Sequence, residues 1–123
     1  MNNYDVKKMA ECSLGIILYA GNAHSSCMEA IQLAGKNRFD EANSKLADAK
    51  EEFANAHNIQ TDLLTENAKL ISNDQPGVNP DILMVHAQDH FNSAYICIDL
   101  CEIICDLQKQ IFELKEEINE MKK

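Results

Sequence analysis

The chain has 123 residues, which is enough for one compact domain and too few for two. With 46% hydrophobic residues, four glycines and two prolines, it is unlike collagen-like or disordered chains and does not favour a turn-rich all-β fold. Twenty acidic against eleven basic residues give a formal net charge of −9 at pH 7, which repels nucleic acid and anionic lipid surfaces. We therefore expect one all-α domain over residues 1–123, with a protein rather than nucleic acid as its partner.

The first predicted helix covers about residues 4–34. Its apolar and small residues recur at spacings of three and four, which is typical of one face of an amphipathic helix. They are Met9, Cys12, Ile16, Tyr19, Ala23, Cys27, Ala30 and Ala34. Gly35 suits the left-handed position just past a helix C-terminus, and the short connection predicts an antiparallel second helix.

The second predicted helix covers about residues 38–72 and repeats apolar residues in a 3-4 alternation. Gln60 and Asn67 occupy positions of this pattern where apolar side chains would pack better. Two interpretations stay open: the two polar side chains hydrogen-bond buried groups, or they set the register of the helices.

The third predicted helix covers about residues 80–121, with Asn79 as N-cap and Pro80 as first helical residue. A strict 4-3 spacing continues to its end through Leu100, Ile104, Leu107, Ile111, Leu114, Ile118 and Met121. At about 1.5 Å per residue this helix is about 60 Å long, against about 45 Å for the first. The end of its apolar stripe then has no cover within the chain, which predicts a homo-oligomer joined partly through the third helix.

Five cysteines, with no C-x-x-C spacing, fit neither a disulfide framework nor a zinc ribbon and suit a reducing cytosol. Cys97, Cys101 and Cys105 repeat at i, i+4 and i+8, which we interpret as core packing on one helix face. No apolar stretch approaches the ~18 residues needed to span a membrane. A cytoplasmic protein without direct membrane insertion is expected.

The densest group of reactive side chains is His86-Ala87-Gln88-Asp89-His90, which places two imidazoles and a carboxylate within about one helical turn. The histidines could be polar core or interface residues that fix register, or ligands of Zn²⁺ or Fe²⁺. The segment is similar to the inverted zinc-protease motif H-x-x-E-H, but Asp89 stands in place of its glutamate.

A third possibility is a nucleophilic histidine that accepts and passes on a phosphoryl group. No Lys or Arg lies between Lys69 and Lys109, so compensating charge would come from His90, the Gln88 amide, a neighbouring subunit, a metal ion or a partner.

The sequence resembles the IIA component of the lactose/cellobiose (including chitobiose) branch of the bacterial phosphoenolpyruvate-dependent sugar phosphotransferase system (PTS). The residues that carry the resemblance span about 14–107. They are Tyr19-Ala20-Gly21-Asn22-Ala23, Glu29-Ala30, Phe39 with Ala42, Ala56-His57 with Gln60-Thr61, and Val85-His86-Ala87-Gln88-Asp89-His90.

The resemblance implies a cytosolic homotrimer of antiparallel three-helix subunits that carries phosphoryl groups for disaccharide uptake. By resemblance His86 accepts the phosphoryl group from the histidine phosphocarrier protein HPr and gives it to a cysteine of the IIB component. We expect His90 and Gln88 to hydrogen-bond either the phosphoryl group or the imidazole of His86. Asp89 is expected to bind a structural divalent metal ion, Mg²⁺, shared by the three subunits, so that chelation loosens the trimer. Composition and periodicity alone support a second interpretation equally well, a catalytically silent helical interaction or regulatory protein.

Overall fold

The structure, a computed structural model, describes residues 6–123. Three helices make up the regular secondary structure of this part of the chain: α1 (Val6–Gly35), α2 (Phe39–Ser72) and α3 (Ile82–Met121). The three predicted helices are confirmed, with small differences at their ends. The predicted start of the first helix at Tyr4 lies outside the described residues.

The turn between α1 and α2 differs from its predicted form. Gly35 is the last residue of α1 and is not left-handed, whereas Asn37 is, with φ 63°. The Arg38 amide donates to the Leu33 carbonyl and the Asn37 amide to the Ala34 carbonyl, both at 3.0 Å. These two bonds satisfy the carbonyls at the end of α1, and asparagine tolerates the left-handed conformation better than most residues. The left-handed assignment of Gly35 was therefore wrong.

The start of α3 also differs from the prediction. Asp81, with extended backbone, is the N-cap, and its carboxylate accepts a hydrogen bond from the Met84 amide at 2.9 Å. Asn79 and Pro80 precede the helix and belong to the connection. The predicted cap at Asn79 was wrong because Asp81 is an equally good capping residue and is the one whose side chain reaches the third amide of the helix.

Contacts between the helices define an antiparallel bundle. The Asn22 amide donates to Glu52 at 3.1 Å and Lys45 pairs with Glu29 at 2.8 Å, so α2 runs opposite to α1. The Cys101 and Cys105 thiols lie 3.5 and 3.8 Å from the carbonyls of Cys27 and Ala30, so α3 runs parallel to α1. α1 packs along both other helices, which meet each other less extensively.

Small residues fill most of the core and let the helices approach closely. The buried alanines are Ala20, Ala23, Ala30, Ala34, Ala42, Ala49, Ala56, Ala87 and Ala94. Cys27, Cys101 and Cys105 are buried among them and Cys97 is half-buried, which confirms the interpretation of the cysteines as packing residues. Burial raises the pKa of the Cys101 thiol to about 12 and also raises that of Cys27. Both thiols therefore stay protonated at neutral pH.

The regular apolar stripe of α3 lies on a different face from this core. Leu100, Leu107, Ile111, Leu114, Ile118 and Met121 are each at least 44% exposed, and Ile104 is half-buried. The end of the stripe is uncovered, as the length of the third helix predicts, and Leu100 and Leu107 nearer the middle of α3 are exposed as well. Within residues 6–123, the helices include none long and apolar enough to cross a membrane.

Candidate functional site

His86 and His90 lie one turn apart near the start of α3, and their rings face each other. Their Nε2 atoms are 3.0 Å apart, and the ring centroids are 4.5 Å apart in an edge-to-face arrangement. This distance fits a hydrogen bond between the two nitrogens, in which a protonated Nε2 donates to the lone pair of the other. His86 is exposed and His90 half-buried, so solvent and another protein can reach His86. The two imidazoles lie together, as their i, i+4 spacing predicts, and the catalytic roles of both histidines stay predictions.

The helix end lies closer to His86 than the sequence indicated. Because α3 begins at Ile82, His86 is its fifth residue rather than about its seventh. The electrostatic effect of the helix dipole falls off within the first turn of a helix. In the first turn of α3 the Met84 amide already donates its hydrogen bond to the Asp81 carboxylate. The segment between Lys69 and Lys109 contributes no cationic side chain. The helix and its own residues therefore supply little fixed positive charge beside His86.

Asp89 is exposed and shares an open groove with His86. The other walls of the groove are apolar: Ile82, Leu83 and Val85. No set of three or more His, Cys, Asp or Glu side chains in the described part of the chain is arranged to hold a metal ion. Asp89 offers hard oxygen ligands of the kind that Mg²⁺ prefers, but a single chain does not complete a coordination sphere around it.

Gln88 is directed away from the histidine pair. Its Oε1 accepts a hydrogen bond from the side-chain amide of Gln60 on α2, and its own side-chain Nε2 lies 3.5 Å from the Met84 sulfur. Residues two apart on a helix point to different faces, which explains why Gln88 and His86 diverge. The expected hydrogen bond of Gln88 to the phosphoryl group or to the His86 imidazole stays a prediction.

Gln60 and Asn67, the two polar residues of the α2 pattern, both make hydrogen bonds to other parts of the chain. Gln60 bonds to Gln88 on α3, and Asn67 Oδ1 accepts from the Val78 amide at 2.8 Å. The second bond ties the α2–α3 connection to α2 just before the site. Of the two interpretations left open, hydrogen bonding to partly buried groups is the one observed.

Sequence reasoning missed an aromatic cluster beside the site. Phe53 of α2 packs against Phe91 and Tyr95 of α3, with ring centroids 4.7 and 5.6 Å apart, and His57 lies 6.1 Å from Phe91. The cluster fixes α2 against α3 directly after His90. The i, i+4 spacing of each aromatic pair, 53 with 57 and 91 with 95, was the signal available in the sequence.

Comparison with known proteins identifies the family. The sequence of residues 11–109 matches the family described as "PTS system, Lactose/Cellobiose specific IIA subunit". This chain belongs to that family. The His86–His90 pair lies within the matched region.

Individual IIA relatives agree with this assignment. The chain is 39% identical over 109 residues to the lichenan-specific phosphotransferase enzyme IIA component of Bacillus subtilis, a match that covers 87% of this chain and 93% of the relative. It is 38% identical over 102 residues to the cellobiose-specific EIIA component of Lactococcus lactis subsp. lactis, covering 83% and 84%. Among solved structures, the cellobiose-specific enzyme IIA from Bacillus anthracis superposes with a TM-score of 0.78 at 30% identity, covering 89% and 94%. The chain is thus a sugar phosphotransferase system IIA component.

Proposed function

We propose that this IIA component carries phosphoryl groups on His86, accepting them from HPr and passing them to a cysteine of the IIB component. The sugar served belongs to the lactose, cellobiose and chitobiose class, and the transfer takes place in the cytoplasm. The observation that carries the proposal is the exposed His86 ring with a second imidazole 3.0 Å from its Nε2.

The histidine pair suits reversible phosphoryl transfer. In the first step an N–P bond forms on His86 as the N–P bond of the donor breaks. In the second step the His86 N–P bond breaks as an S–P bond forms on the IIB cysteine, which attacks as a thiolate after losing its proton. His90 holds the proton on its own Nε2 while an unprotonated nitrogen of His86 attacks. The same N–H can then donate to an oxygen of the bound phosphoryl group.

Charge compensation comes mainly from the donor protein in this proposal. A phosphoryl group adds up to about two negative charges, whereas residues 70–108 contain no Lys or Arg. A chain with net charge −9 attracts a donor with a basic surface, and the cations of that surface can face the phosphoryl group in the complex.

The assembly in this proposal is a homotrimer with the third helices at its centre. The uncovered apolar stripe of α3 supports self-association. Asp89 lies on the same side of α3 as His86 and would meet its symmetry mates near the axis. A divalent cation such as Mg²⁺ would then gain carboxylate ligands from three chains and offset their mutual repulsion.

The test of the relay is labelling with radioactive phosphoenolpyruvate in the presence of the general PTS enzymes. We expect the native protein to carry acid-labile, base-stable label, and His86→Ala to carry none. His24→Ala, which removes an exposed histidine of α1, is the control and retains the label. Label on His86→Ala, or none on the native protein, would refute the proposal.

A further inference from the structure

Four cysteines form one continuous group of thiols between α1 and α3. The Cys101 and Cys105 sulfurs are 4.0 Å apart, and the Cys101 thiol lies 3.5 Å from the Cys27 carbonyl oxygen. The Cys27 thiol lies within hydrogen-bond reach of the Cys97 and Cys101 thiols. We call these four residues the thiol cluster. The phosphoryl transfer proposed above uses none of them.

Solvent reaches the thiol cluster through one of its members. Cys27 and Cys101 are 0% exposed and Cys105 is 8% exposed, whereas Cys97 is half-buried. Burial raises the pKa of the Cys27 and Cys101 thiols, and a protonated, enclosed thiol reacts slowly because the thiolate is the reactive form. A small oxidant therefore meets the cluster first at Cys97.

Helix geometry selects the thiol with which Cys97 can pair. Cβ atoms four residues apart on an α-helix are about 5–6 Å apart, whereas a disulfide needs about 3.5–4.5 Å. This spacing excludes a bond between Cys97 and Cys101 on the same helix. Cys27 approaches from α1 and is free of that limit. The Cys101 thiol reaches the α1 backbone at Cys27, so the two helices lie close together at this level.

We propose that Cys97 and Cys27 form a peroxide-sensitive modification site, at which oxidation joins α3 to α1 through a disulfide. Hydrogen peroxide first oxidises the Cys97 thiol to a sulfenic acid, and one water leaves. The Cys27 sulfur then attacks the Cys97 sulfur, the S–O bond breaks, and the leaving oxygen takes the Cys27 proton to form a second water. One peroxide and two thiols thus give one disulfide and two waters, and a dithiol reductant reverses the change.

The disulfide would restrict the unfolded chain more than the folded bundle. The loop that it closes, from Cys27 to Cys97, contains the whole of α2. The bond lies about two helical turns after His90 on α3, beyond the histidine pair. The inference rests on the thiol cluster alone and does not depend on the proposed function.

The first experiment is peptide mapping of the full chain by mass spectrometry under non-reducing conditions. The protein is treated with hydrogen peroxide, and its remaining thiols are blocked with N-ethylmaleimide before digestion. We expect a linked pair of peptides that contain Cys27 and Cys97, two hydrogens lighter than their sum and separated by dithiothreitol. Recovery of both cysteines as blocked thiols, oxidation that stops at a Cys97 oxyacid, or a bond from Cys97 to any other cysteine would overturn the inference.

Single variants test the order of the two steps. In Cys27→Ala the sulfenic acid of Cys97 should persist and react with dimedone, whereas Cys97→Ala should leave Cys27 reduced. Cys12→Ala is the matched control, since Cys12 is a half-buried thiol of α1 about four turns before Cys27, and the variant should keep the bond. Dimedone labelling of Cys27 in Cys97→Ala, or loss of the bond in Cys12→Ala, would contradict the assigned roles.

Thermal unfolding shows whether the folded bundle accommodates the bond. At fixed protein concentration, the peroxide-treated native protein should unfold about 10 °C above the reduced protein. Cys97→Ala should unfold at the same temperature with and without peroxide. An equal or lower unfolding temperature of the treated native protein would count against a disulfide built into the fold.

Discussion

The hydrogen bond between Gln60 and Gln88 gives the sharpest prediction about the structure beside the site. It joins α2 to α3 one residue away from Asp89, and both amides are half-buried. Replacing either glutamine by leucine leaves the other amide without that partner, at a cost of about 1–3 kcal/mol. Replacing both by leucine removes both amides and keeps the volume, so the double variant should cost at least about 1 kcal/mol less than the sum of the single variants.

The measurement is a double-mutant cycle of urea unfolding at fixed protein concentration, since unfolding of an oligomer depends on concentration. The matched control is the exposed α1–α2 pair Asn22 and Glu52, whose hydrogen bond is 3.1 Å long. Its coupling free energy should stay below about 0.5 kcal/mol because water replaces the lost partner. If the glutamine cycle is additive, or no larger than the control, the interhelical bond does not stabilise the fold and the reasoning fails.

Three further perturbations test the packing. Ser13 is fully buried and its hydroxyl makes no hydrogen bond. Ser13→Ala should therefore stabilise the protein against thermal unfolding by about 1 kcal/mol more than Ser25→Ala, which changes an exposed serine of the same helix. Equal effects of the two variants would contradict this prediction. A Cβ on Gly77 would lie 2.6 Å from Asn67 Oδ1, so Gly77→Ala should cost about 1 kcal/mol in urea unfolding through the lost bond to the next amide, and should cost nothing in an Asn67→Ala background. Burial raises the pKa of the Cys101 thiol from the ordinary 9.0 to about 12, so the thiol of the unfolded chain loses its proton at lower pH than that of the folded chain. The free energy of unfolding should therefore fall between pH 9 and about 12, by up to about 1.4 kcal/mol per pH unit. In Cys101→Ala this fall should be shallower, and an identical fall would contradict the assignment.

The sequence predicted the helices well because their signals are local. The 3-4 spacing placed α2 within a residue of its observed bounds, and the i, i+4 spacing of His86 and His90 was sufficient to place their rings together. The helix ends were less predictable. Two residues with similar capping ability stand near the start of α3, and only the path of the connection decides that Asp81 rather than Asn79 caps it.

Contacts between helices could not be read from spacing alone. The pattern showed that Gln60 lies on the packed face of α2, but its partner depends on how far α2 and α3 are rotated and shifted against each other. For the same reason the sequence grouped Gln88 with the histidines, while the helix directs its side chain towards α2. The uncovered end of the α3 stripe was predictable because α3 is longer than α1 or α2, whereas the exposure of Leu100 and Leu107 depends on how α3 is rotated in the bundle.

The central claim is that His86, and not its neighbour His90, receives the phosphoryl group. The most direct measurement is mass spectrometric peptide mapping, under non-acidic conditions, of protein phosphorylated by phosphoenolpyruvate and the general PTS enzymes. We expect the added mass of one phosphoryl group on the peptide that contains both histidines, with fragment ions that place it on His86. A phosphoryl group on His90, or on a histidine outside α3, would contradict the account.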